Sequence, residues 1–264
     1  MIRSVWSKTL FDRRRALLWW SVGFVLLTTA ILSIYPSVRD SPELDQLTQR
    51  LPEALKAFIG ERSLTSPVGY VQSRLFQLMV PLLLLGLAIG QGADAIAGEE
   101  QRRTMDLLLA NPISRGRVVL DKFLALCAQL VVLGSILFVS LLVLTSIFDV
   151  DLSVVGLAAA SANAVIFALV LGSAALAWGA ATGHRGSAVG IVTSVAAAAY
   201  VWESLSALVP AINDYAWLSP FHHYVVAHPL ARGFSLPFLA SFVSAAVVLE
   251  LFAAYSFSRR DLRN

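Results

Sequence analysis

Six stretches of this sequence contain no Asp, Glu, Lys or Arg: 16–38, 75–93, 123–148, 152–184, 186–202 and 233–249. About 20 apolar residues in a helix cross a hydrocarbon core of roughly 30 Å. Backbone N–H and C=O groups inside lipid must bond within their own segment, which a helix achieves. The runs therefore predict an all-α integral membrane protein with six transmembrane helices, near 16–35, 75–97, 117–148, 153–182, 187–209 and 235–257. The whole 264-residue chain reads as a single transmembrane domain. Charged residues make up 14% of it and hydrophobic ones 57%, against about 25% charged in a soluble domain. That balance excludes a soluble enzyme, a disordered chain and a secreted disulfide scaffold. The lone Cys127 lies in an apolar run and reads as a packing residue.

Orientation follows from the basic residues. Lys and Arg total 20. Fourteen lie before span one, between spans two and three, between four and five, and after six; six lie on the other side. The positive-inside rule makes the first side cytoplasmic, with both termini inside the plasma (inner) membrane. The net charge of +3 then reflects topology, and no nucleic-acid partner is expected. The third and fourth spans exceed the usual length, so tilt or protruding ends are expected.

Outside the spans, 1–15 carries Arg3, Lys8 and Arg13 to Arg15, with Ile2, Val5, Trp6, Thr9 and Leu10 near one helical face. It reads as an amphipathic elbow helix in the headgroup plane, leading into a span too long for a cleavable signal. The external segment 36–74 contains Ser41-Pro42-Glu43, a helix start, then Leu44, Leu47, Leu51, Leu55, Phe58 and Ile59 at three- and four-residue steps. This predicts an external amphipathic helix, kinked or split at Pro52 and stopped at Gly60. The proline- and aromatic-rich segment 210–234 predicts short, partly re-entrant helices. Gly86/Gly90 and Gly186/Gly190 are GxxxG pairs, read as close packing within one subunit in preference to a dimer seam.

The most informative segment lies between spans two and three. It runs from Gly98, read as the end of span two, through Glu99, Glu100, Arg102, Arg103, Thr104, Met105, Asp106, Leu108 and Leu109 to Pro112 and Ser114. Acids and bases stand three and four apart, and Met105, Leu108 and Leu109 form an apolar stripe. Pro112 stops the helix and Ser114 can cap the next. A short amphipathic helix over 99–110 is expected on the cytoplasmic face.

This stretch resembles the first cytoplasmic loop of type-2 ABC transporter permeases. The family pattern is an acidic pair, basic residues, Thr-x-Asp/Glu-x-Leu-Leu, a proline, then Ser-Arg. Glu99, Glu100, Arg102, Arg103, Thr104, Asp106, Leu108, Leu109, Pro112, Ser114, Arg115 and Lys122 match it. Many members have glycine before the threonine; here it is Arg103. The resemblance implies an exporter in which two permeases, identical or paralogous, form the pathway and two cytoplasmic ABC ATPases drive it. The helix 99–110 would be the coupling helix, with Met105, Leu108 and Leu109 in a groove on the ATPase. ATP and Mg would be used by that partner, because no GxxxxGK[ST] phosphate loop exists among Lys8, Lys56 and Lys122. No cofactor and no catalytic residue is expected in this chain. The family carries drugs, antibiotics, lipids, polysaccharides and ions; the apolar spans and short external segments favour a hydrophobic or amphipathic cargo.

Polar residues at membrane depth are functional candidates. Asp94 could line an inner vestibule beside Gln91 or pair with an elbow arginine, the favoured reading. Glu203 and Glu250 could face a pathway, and Glu250 needs a partner or a proton. Asn163 and Gln129 read as interhelical hydrogen-bonding groups. His222, His223 and His228 lack the spacing and companions of a metal site. Two other functions were weighed. An ion-coupled secondary transporter needs several midplane charges and matched broken helices in two halves. An intramembrane protease of the Glu-Glu-x-x-x-Arg type needs Arg where Thr104 stands, and no HExxH or Gly-x-Ser-x-Gly motif is present.

Overall fold

Serines set the starts of three spans. Ser66 precedes Pro67 and its hydroxyl accepts from the Gly69 N–H at 3.1 Å. Ser114 does the same for Arg117 at 3.3 Å, and Ser153 for Gly156 at 3.0 Å. Each satisfies one of the orphan donors at a helix N-terminus. The computed structural model describes residues 5–39, 66–105, 114–206 and 208–260. The expected external helix with Pro52, and Asp106, Leu108, Leu109 and Pro112, lie outside the described residues.

Six long helices follow in order: α1 (Val5–Arg39), α2 (Pro67–Gln101), α3 (Arg115–Ile147), α4 (Val154–Thr182), α5 (Arg185–Ser206) and α9 (Leu236–Arg259). All six are long and apolar enough to cross a membrane, and no strand occurs among the described residues. Between α5 and α9 lie three short helices, α6 (Pro210–Asn213), α7 (Pro220–Val226) and α8 (Pro229–Arg232), and a 3-10 turn at Ala216–Leu218.

Several boundaries differ from the sequence reading. Helix α1 is unbroken from Val5, so no joint separates the elbow segment from the span. Helix α2 starts at Pro67, well before residue 75, and passes Gly98 to end at Gln101. It contains two π-helical stretches, Gln72–Met79 and Asp94–Gly98. The first adjoins Pro81, which has no N–H to give and crowds the carbonyl four residues back. A locally widened helix accommodates that loss.

Helix α4 lies at the centre, with most of its length buried, while α1 and α5 are largely open along their sides. The closest contact is α4 against α2. A Cβ built on Gly92 would stand 2.0 Å from the Gly172 carbonyl oxygen, and one on Gly172 would meet Ala88 at 3.1 Å. The two backbones therefore touch, with Ala93 and Gly179 continuing the seam one to two turns on. The GxxxG pairs do not make this contact. Among the described residues, a Cβ at Gly86, Gly90, Gly186 or Gly190 would meet nothing within 4 Å. The expected role of those pairs in packing within the chain is thus corrected.

A second core layer is aromatic. Helix α7 inserts Phe221 and Tyr224 against Phe167 of α4, at ring separations of 4.7 and 4.9 Å. Tyr224 donates its hydroxyl to the Phe76 carbonyl at 2.9 Å. Burial pushes this phenol far above its usual range, so it stays a donor. Leu18, Trp19, Leu26, Val131 and Leu251 point outward and are exposed, the pattern of a bundle in contact with lipid.

Gly92→Ala should destabilise the bundle by about 1–3 kcal/mol through overpacking. Gly86→Ala should be neutral or stabilising, by up to about 1 kcal/mol of helix propensity. Thermal unfolding of the two variants in one detergent checks the difference. Equal melting temperatures would refute the seam.

Candidate coupling site at the basic end of the bundle

Helix α2 ends with three carboxylates, Asp94, Glu99 and Glu100, in its last two turns. That is the unfavourable end of a helix for negative charge, because its last carbonyls already carry partial negative charge. Placing acids there requires basic partners, which come from α1, α3, α5 and the end of α9.

Asp94 is the most heavily paired. It accepts hydrogen bonds from Arg13 of α1 and from Arg102 at 2.9 Å, and forms an ion pair with Arg185 at the start of α5 at 3.2 Å. Its side chain is 14% exposed, so these partners act in a half-dehydrated setting. Glu99 accepts from Lys122 of α3 at 2.7 Å and from the Thr104 hydroxyl. Glu100 pairs with Arg260, just beyond α9. Arg115 of α3 donates to the Phe257 carbonyl at 3.2 Å and to that of Arg260, closing the open C-terminus of α9. Its guanidinium also stands 5.6 Å from the Phe257 ring centroid. Arg102, hydrogen-bonded to Asp94 and near Glu99 at 4.0 Å, holds its proton more tightly than a free arginine.

Helix α4 joins through its end. Gly183 takes φ 72, a left-handed cap, and a Cβ there would strike the Arg260 guanidinium at 2.2 Å and the Glu100 carboxylate at 2.6 Å. The Glu100–Arg260 pair thus lies directly on this glycine. Beneath the charges, Met105 is buried among Ile96, Val118, Val119, Ala180 and Phe257.

The chain leaves α2 by a Schellman turn. The Thr104 N–H bonds the Glu99 carbonyl at 3.0 Å and the Arg103 N–H bonds that of Glu100 at 3.0 Å. Arg103 sits at the left-handed position, φ 56. Glycine takes that backbone freely, whereas a residue with a Cβ is strained by about 1–2 kcal/mol. The physical demand at this position is therefore for glycine, although Arg103 fills it. The turn also corrects the expected helix over 99–110. Glu99 and Glu100 belong to the end of α2, and Glu100 faces Arg260 in place of a partner within its own segment.

The remaining polar candidates do not gather here. Gln91 is half-buried one turn before Asp94. Glu203 of α5 pairs with His222 of α7 at 3.2 Å, at the opposite end. Glu250 is 9% exposed, and neither oxygen has a hydrogen-bond partner among the described residues. The expected interhelical roles of Asn163 and Gln129 are corrected. Asn163 has no partner for either amide atom among the described residues, and Gln129 donates to the Ala125 carbonyl of its own helix at 3.0 Å. Interhelical polar contacts at membrane depth are made instead by Thr28 with Ser140, at 3.3 Å, and by the Tyr70 hydroxyl, which donates to the Ile31 carbonyl at 2.9 Å. Arg185, Arg260 and Gly183 were missed as site residues. The signal for the two arginines was the basic residues at the same end of four of the other five spans.

Arg103→Gly should raise stability by roughly 0.5–1 kcal/mol, the released strain less the greater freedom of an unfolded glycine. Thermal melting of the variant beside Arg103→Ala checks this; Ala should give no comparable gain.

No curated protein matches this sequence. Residues 3–262 match the family model described as ABC-2 family transporter protein. The match runs nearly end to end, over six apolar helices, and the chain therefore belongs to the ABC-2 family of transporter proteins, as a multi-pass permease and transport component.

Proposed function

We propose that this chain is the permease of an ABC exporter, that two copies or a copy and a paralogue form the pathway, and that separate cytoplasmic ATPases drive it. The observation that carries the reading is the charge cluster at the end of α2. Three acids on one helix bind bases from α1, α3, α5 and the end of α9, and one pair rests on the end of α4. The segment that follows, 106–113, carries Leu108, Leu109 and Pro112. A push on that segment would reach α2 first and the other long helices through these pairs. An input from a soluble motor needs such a junction, because a force on one helix alone would be absorbed by local bending.

The basic end would be the cytoplasmic face of the plasma membrane, with both termini inside. The chain would bind no nucleotide itself; ATP and Mg would act in the partner. The two leucines would seat in a groove on the ATPase, while Met105, buried in the bundle and so not available to that groove as expected, would anchor the segment from behind, and Glu99, Glu100, Arg102 and Arg103 would hold it in register. ATPase closure would then favour one of two packings of α2 and α3. The apolar pathway suits a hydrophobic or amphipathic cargo.

The test is copurification of the tagged chain with its cognate ATPase, and ATP hydrolysis in lipid. Leu108→Ala with Leu109→Ala should reduce stimulation of hydrolysis at least about tenfold, the cost of two buried leucines at an interface, while the protein still inserts. Full stimulation by that variant would refute the assignment of the segment.

A further inference from the structure

The end of the bundle opposite the charge cluster contains a cavity of about 620 Å³ between α7, α8 and the start of α9. Its polar lining includes His223, Arg232 and Ser235, and its apolar lining includes Val226, Phe234 and Phe238. Nothing in the coupling mechanism uses it.

Its walls are rigidly built. Helix α8 is bracketed by two left-handed residues, His228 at φ 41 and Gly233 at φ 76. The helix is pinned from behind by buried Leu230, whose carbonyl oxygen would stand 2.5 Å from a Cβ on Gly156 of α4. Phe238 is buried and stacks on Phe242 at 4.3 Å. The backbone of Arg232, the last residue of α8, is thus fixed before any ligand arrives, and its exposed side chain is open to one.

Two donors in the cavity, on Arg232 and Ser235, are uncommitted among the described residues. Arg232 has no carboxylate partner among the described residues, in contrast to Arg13, Arg102, Arg117, Arg185 and Arg260. The Ser235 hydroxyl makes no capping bond to α9. His223 is already engaged: its Nε2 lies 2.9 Å from the Trp217 carbonyl and donates to it. A guanidinium and a hydroxyl facing one space recognise a phosphate or carboxylate. The volume exceeds what an inorganic anion fills and falls in the range of small-molecule sites. The apolar wall continues outward through Phe234 and Leu236, both exposed.

We propose that this cavity binds the anionic head of an amphipathic molecule, with Arg232 and Ser235 bonding the phosphate or carboxylate and Val226, Phe234 and Phe238 receiving the start of its apolar tail. The ligand has two possible sources, a lipid of the surrounding leaflet or a soluble amphiphile, and one chemistry serves both. The inference does not depend on the coupling reading, since the site lies at the other end of the bundle.

The experiment uses the full chain in phosphatidylcholine nanodiscs and reads thermal stabilisation. Three probes are added separately: phosphatidylglycerol in the disc, dodecyl phosphate, and inorganic phosphate. Phosphatidylglycerol or dodecyl phosphate should stabilise the protein, and inorganic phosphate should not. Arg232→Gln should weaken the effective probe about tenfold or more, the loss of a charge-assisted hydrogen-bonding group. Arg74→Gln, an exposed charge outside the cavity lining, should leave it unchanged. Phe234→Ser should weaken dodecyl phosphate while leaving the fold intact, since Phe234 is half exposed. Action of phosphatidylglycerol alone identifies a lipid as ligand; action of dodecyl phosphate alone identifies a soluble amphiphile. Stabilisation that survives Arg232→Gln, or that inorganic phosphate reproduces, overturns the proposal.

Discussion

The bundle depends on one close approach, backbone to backbone, where α2 crosses α4 at Gly92 and Gly172. Between helices in lipid there is no hydrophobic drive comparable to that in water, so association rests on contact area and fit. Two glycines at one crossing let the helices come near enough for their flanks to interlock, with Ala88 and Ala93 on one side and Gly179 on the other. Because α4 is the central helix, everything packed on it inherits its position from that crossing. The aromatic layer around Phe167 then fixes α7, and through Phe242 it fixes α9.

The charged end is organised on a different principle. Acids at the C-terminal end of α2 oppose the helix dipole, which makes their basic partners necessary for the helix to end where it does. Apolar contact fixes distances between helices, and the ion pairs select which helix ends meet. Such pairs contribute modestly to stability when half exposed. Their value lies in geometry, because each guanidinium or ammonium carries the position of a different helix to one short segment. On the proposed function, that junction would carry an ATPase's push to the other long helices.

Most of the architecture could be read from the sequence because it follows from where charge is absent. The six spans, the caps at Ser114 and the short helices between the fifth and sixth spans all leave one-dimensional traces. The glycines did not. A GxxxG pair is visible in a sequence, yet whether it faces another helix depends on rotation about the helix axis. Gly86 and Gly90 point into open space, while Gly92, two residues on, makes the contact. The π-helical stretches add to this difficulty, since they shift the helical phase, and only the first has a residue-type trace, in Pro81. Asn163 and Gln129 misled for a related reason: an amide suggests an interhelical partner, but nothing in the pattern says what lies opposite. Arg103 carried a usable trace, because its left-handed backbone is the physical content of the glycine that the family pattern places there.

The π-helical stretch Asp94–Gly98 has a consequence for how this region can vary. A helix advances roughly 100° per residue, so one residue removed from that stretch would rotate Glu99, Glu100 and the exit turn by about that angle relative to the bundle. Lys122 and Arg260 would then face the wrong side of the helix. A volume-conserving substitution at Ile96, which fills space beside Met105, could be absorbed locally. A change in the number of residues could not. The direction in which the chain emerges toward its partner is set by a count, and insertions and deletions are the changes it tolerates least.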